Sequence, residues 1–191
     1  MINISSNAAA FLRDMNRRQN GDLKIAMAAA LTRTGQDAKA AIGAQIVRVF
    51  DRPTSYTRRA VYLQPAKKSR LVARVGIMAR QAEYLGLQET GGTRRPRRRA
   101  LLIPVQIRKN KFGNMSRGAV ARLLARPDVF SGNVGGVAGI WQRRRGALKL
   151  LVAYAASAQY APRFGFEGVA ADTVRARFGA QFDRALSEFV R

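Results

Sequence analysis

Val137-Ala138-Gly139-Ile140-Trp141-Gln142, then Arg143-Arg144-Arg145-Gly146, then Leu148-Lys149-Leu150-Leu151-Val152-Ala153-Tyr154-Ala155 is the stretch on which the fold turns. Two apolar runs flank a short basic tip that ends in glycine, a pattern that predicts two strands joined as an antiparallel hairpin. Working outward, Ala60 to Pro65 and Leu71 to Ala79 form a second expected hairpin around the polar Lys67-Lys68-Ser69. Ala100 to Ile107 is expected to be a further strand, which Pro104 confines to a sheet edge or a bulge because proline has no N–H to donate.

Helices are expected around these strands. Leu23, Met27, Ala30, Leu31, Thr34, Ala38, Ala41, Ile42, Ile46, Val49 and Phe50 recur at spacings of three and four, which places them on one helical face. The expected helix runs from about Asp22 to Phe50, with Asn20-Gly21-Asp22 as cap and Asp51-Arg52-Pro53 as stop. A segment from Ala8 to Arg17 also has helical character, and Ser116 to Arg126 reads as a short helix ended by Pro127. The chain closes with Ala171, Val174, Phe178, Phe182, Ala185, Leu186 and Phe189 on one stripe of a helix from about Val169 to Phe189.

Between these elements, Gln81 to Thr90 is ambiguous. Gly91 to Arg99 is expected to be an exposed loop, and Ser131 to Gly136 is too glycine-rich to suggest regular structure. Helix, strands, short helix, strands, helix is the order of an α+β protein, with a long N-terminal and an amphipathic C-terminal helix packed on a mostly antiparallel sheet. One domain covering 1–191 is expected, with a short helical and glycine-rich elaboration at about 112–136.

Charge bounds what such a fold can do. Thirty-five Lys and Arg stand against 11 Asp and Glu, a formal +24 without a single histidine. A compact chain so charged repels itself and attracts polyanions. Twenty-eight of the basic residues are arginine, whose planar fork pairs bidentately with carboxylate or phosphate. The sharpest clusters are Arg94, Arg95, Arg97, Arg98 and Arg99 in one loop and Arg143, Arg144 and Arg145 at the hairpin tip, the candidate partner-facing or DNA-facing residues.

Catalysis finds little support. With no cysteine and no histidine, thiolate chemistry, the usual metal ligands and the usual proton shuttle are missing, so no metal and no cofactor is expected. Glu83 and Glu89 are the one carboxylate pair that a metal-dependent nuclease reading would use, and ion pairing with adjacent arginines is the simpler role for them. Gly132 to Gly136 lacks the Gly-Lys-Ser/Thr ending of a phosphate-binding loop. The expectation is a protein that is not an enzyme.

Three kinds of anionic partner remain: nucleic acid, an anionic membrane surface and acidic protein neighbours. No helix-turn-helix, zinc finger or RRM pattern occurs, and the aromatics do not interleave with the basic runs, so any DNA contact would be to the backbone and blind to sequence. A basic, sequence-independent DNA-binding protein is the alternative reading. Arg175, Arg177 and Arg184 opposite the aromatic stripe of the last helix fit a membrane-surface helix, but also a helix packed on its own core, which is the reading adopted. The N-terminus lacks a basic segment followed by an apolar one, and no run of about 18 apolar residues occurs, so a soluble product of a cytoplasm is expected.

The order of features resembles the minor tail protein Z and tail-completion family of lambda-like and Mu-like phages. The residues that carry the resemblance are the alanine-rich first helix, Ala82-Glu83-Tyr84-Leu85 leading into Glu89-Thr90-Gly91-Gly92-Thr93, and the basic turn before Leu101-Leu102-Ile103-Pro104-Val105. Gly139-Ile140-Trp141-Gln142-Arg143 and Tyr160-Ala161-Pro162-Arg163-Phe164 continue it, so that it spans nearly the whole chain. The resemblance implies a virion protein of the tail or neck, assembled in the host cytoplasm, that joins head to tail. It implies a ring of identical subunits, a hexamer, touching tail-terminator or tail-tube and head-connector proteins and flanking the channel through which DNA passes.

Overall fold

The computed structural model describes residues 2–5, 17–97 and 99–190. Among the described residues, nine strands and five helices follow one another: β1 (Ile2–Ser5), α1 (Arg17–Val49), α2 (Ser55–Arg58), β2 (Val61–Gln64), β3 (Val72–Ile77), α3 (Ala79–Thr90), β4 (Gly92–Arg94), β5 (Leu101–Pro104), α4 (Ala119–Leu124), β6 (Val129–Val134), β7 (Val137–Arg144), β8 (Ala147–Ala155), β9 (Ala158–Tyr160) and α5 (Phe166–Phe189). Every strand pairing is antiparallel, and the strands form three sheets ordered β1-β3-β2, β4-β9 and β5-β8-β7-β6. The class is α+β. The chain divides into two compact units, residues 1–89 with 163–191, and the inserted Thr90–Pro162.

In the first unit, α1 lies on the β2–β3 hairpin and along α5. Its buried stripe is Leu23, Met27, Leu31, Thr34, Ala38, Ile42 and Ile46, close to the one read from spacing. Thr34 satisfies its hydroxyl on the Ala30 carbonyl at 2.8 Å, so this polar residue is buried without an orphaned group. Alanines make the approach to α5 close: Ala26, Ala30 and Ala185 are fully covered, with Phe178, Phe182, Leu186 and Phe189 packed over them. The aromatic stripe of the last helix is therefore spent on the core of its own unit.

Several expectations need correction here. Asn20-Gly21-Asp22 does not cap α1, which already runs from Arg17; one interior glycine costs only about 1 kcal/mol, and a helix this long, packed on two sides, offsets that. The expected helical segment from Ala8 lies, up to Asn16, outside the described residues. The ambiguous Gln81–Thr90 stretch belongs to a full helix, α3. Its buried positions are Gln81, Leu85 and Gln88, at helical spacing but with two glutamines that hide the apolar period. The structure itself answers those amides: Gln81 donates to the Tyr56 carbonyl at 3.3 Å, and Gln88 accepts from Arg163 at 2.6 Å.

In the second unit, β7 and β8 form the hairpin read from sequence, closed by Arg145 and Gly146 with φ of +44° and +80°. Proline-bearing β5 lies at the edge of this sheet, as expected from Pro104. Ser131 to Gly136 is not irregular: β6 extends through Gly132 to Val134, and Gly135-Gly136, both at positive φ, close a two-residue turn into β7. The loop expected over Gly91 to Arg99 is part strand, because Gly92–Arg94 pairs with Ala158–Tyr160. Three residues on either side are too few to announce themselves in sequence. One face of the four-stranded sheet carries the unit's core, Val129, Ile140, Leu151 and Val152, covered by Ile107, Met115, Val120 and Leu123 from the preceding loop and α4.

Candidate functional site

Formal charge is unevenly divided between the units. Thr90–Pro162 contains fifteen Lys and Arg but one acid, Asp128, which leaves +14 of the chain's +24 in the smaller unit. Asp128 is already engaged. Its carboxylate receives Gln142 at 2.8 Å and Arg126 at 2.7 and 3.1 Å, and these bonds hold its pKa below the ordinary value, Gln142 contributing most. The unit has no second carboxylate for its remaining cations.

The two arginine clusters occupy opposite ends of one strand. Arg143 and Arg144 end β7 and Arg145 sits in the turn, beside the Ala147 end of β8. Arg94 lies in β4 opposite Ala158, and Arg95, Arg97 and Arg99 lead into β5, whose Leu101 pairs with Ala155 at the other end of β8. Arg98 lies outside the described residues. Nine residues of β8 separate the clusters, on the order of 25 Å of strand. The fold thus does not merge them into one patch; it presents one at each end of a hairpin. Arg94, Arg95, Arg97, Arg99, Arg143, Arg144 and Arg145 are all exposed.

Arg145 is at φ +44° without being glycine. A side chain there costs of order 1 kcal/mol relative to glycine or asparagine. Arginine in such a turn therefore costs stability that glycine would not.

A feature that sequence reading missed lies between the clusters. Register aligns Phe130, Trp141 and Leu150 across β6, β7 and β8, and Arg143 with Leu148 next to them. Alternation puts this row on the sheet face opposite the core. Gly139 and Gly132 lie in the neighbouring row. A Cβ at Gly139 would come within 2.7 Å of Leu150 Cδ1, and one at Gly132 within 3.4 Å of Phe130 Cε2, so glycine lets both side chains lie flat on the sheet. Arg143 stacks its guanidinium 4.3 Å above the Phe130 ring. The aromatics and the basic run do meet, although eleven positions separate Phe130 from Trp141 in sequence.

Of the two carboxylates weighed for catalysis, Glu83 is exposed on α3 and Glu89 is engaged by a helix end. Glu89 accepts the backbone N–H of Phe166 at 2.8 Å and of Glu167 at 3.2 Å, capping α5, whose own N-cap Gly165 offers no side chain. Expected to meet an arginine, this carboxylate instead answers a helix end. Among the described residues no group of three or more acidic, histidine or cysteine side chains is placed to hold a metal ion. Nor is any helix among them long and apolar enough to cross a membrane.

The fold and the site together define an α+β protein with a strongly basic inserted β unit. No protein-family model, curated protein or solved structure matches the chain.

Proposed function

We propose that this chain is a structural, non-catalytic virion protein of a tailed bacteriophage, a tail-completion or neck protein that forms a ring at the head-proximal end of the tail and joins head to tail. The observation that carries the reading is the pair of exposed arginine clusters at the two ends of β8, in a unit whose sole acid is already bonded. A basic element with two separated ends is suited to bridging two anionic neighbours, here the tail terminator or tube on one side and the head connector on the other. Its ring is held by heterologous contacts, each subunit offering a different surface to the next. Its test is to remove the chain from an assembling phage: free heads and unjoined tails are expected, and normal infectious particles would end the proposal.

A sequence-independent DNA-binding role is the second reading, favoured by the +14 of the inserted unit. It requires duplex binding that weakens steeply as salt rises and counterions are no longer released into dilute solution. Failure to retard duplex DNA at low salt would remove it.

A further inference from the structure

We propose that the face of the four-stranded sheet opposite the unit's core is a docking surface for a protein segment that combines apolar side chains with carboxylates. It goes beyond the head–tail reading and does not depend on it. The face is centred on Phe130, Trp141 and Leu150, which are half-buried, and extends to Ile103 and Leu148, which are 44% and 46% exposed. None of the five belongs to a core cluster of the unit. Grouped large apolar side chains left partly to solvent mark interaction surfaces, and tryptophan and arginine are both enriched at protein interfaces and their hot spots.

The occupant's chemistry follows from what borders the face. Arg143 lies on it, with Arg144 and Arg145 at its end, and the unit's one acid is consumed by Arg126 and Gln142. Carboxylates must therefore come from the partner. A second copy presenting the same face would set Arg143 and the tip arginines against themselves, which like-charge repulsion opposes. Nucleic acid is less suited, since stacking needs open aromatic rings. Here Arg143 already covers Phe130, and Ile103 and Leu148 offer nothing to a base or a phosphate.

Trp141 is the chain's single tryptophan, so its fluorescence reports occupation of this face in the full-length protein. Three probes of equal charge serve at physiological salt: a peptide alternating glutamate with leucine and phenylalanine, an oligoglutamate, and an oligothymidylate. The mixed peptide is expected to bind saturably and shift Trp141 emission to the blue, at least about tenfold tighter than oligoglutamate. Leu148→Asp should weaken it by about tenfold, while Leu102→Asp, an equally exposed leucine that pairs with Tyr154 and so faces the other side of the sheet, should leave it unchanged. Circular dichroism matching the parent shows that both variants fold. Mixed-peptide binding no tighter than oligoglutamate, or equal losses in the two variants, would overturn the proposal. A Trp141 response to oligothymidylate that Leu148→Asp abolishes would overturn it in favour of nucleic acid.

Discussion

Arg145 and Asp128 show how single residues in the basic unit are constrained. Arg145 holds a left-handed backbone conformation, so Arg145→Gly should stabilise the protein by about 0.5–1 kcal/mol, measured by chemical denaturation, while weakening its binding to anionic surfaces. A loss of stability would mean that the guanidinium supports the fold rather than a partner. Asp128 has a folded pKa lowered by Gln142 and then Arg126. A lowered carboxylate contributes stability above its unfolded value and loses it as pH falls through the folded one. Asp128→Asn should therefore be less stable than the parent at neutral pH, with the two converging below about pH 4. Parallel curves down to pH 2 would show that the ionised form does not matter.

Among the elements, α1 and α5 meet through alanine, and Ala30 is wholly buried at that contact. Ala30→Leu should cost about 1–3 kcal/mol through overpacking, seen as a lower denaturation midpoint. An unchanged midpoint would mean that the helices separate freely. Elements with a clean period were legible in sequence: the stripe of α1, the stripe of α5 and the β7–β8 hairpin. Those whose signal is tertiary were not. α3 buries Gln81 and Gln88, whose amides are met by Tyr56 and Arg163. β4 and β9 are three residues each and exist by pairing with one another. The arginine runs at Arg94 to Arg99 and Arg143 to Arg145 could be found from sequence alone. The face they flank could not, because Phe130 and Trp141 become neighbours only through strand register.

For the whole molecule, the division of charge is the governing fact: the inserted unit carries more than half the net positive charge on well under half the chain. Self-repulsion of that size works against a compact unit unless anionic surfaces answer it. In the head–tail reading, those surfaces are the carboxylates of neighbours above and below the ring. The most direct measurement is a cryo-electron microscopy reconstruction of the neck of assembled particles that contain this chain. The account predicts a closed ring at the head-proximal end of the tail, with the Arg143–Arg145 tip and the Arg94–Arg99 segment each against acidic protein surface. A particle whose neck lacks the chain, or a ring whose arginine tips face only solvent, would contradict it.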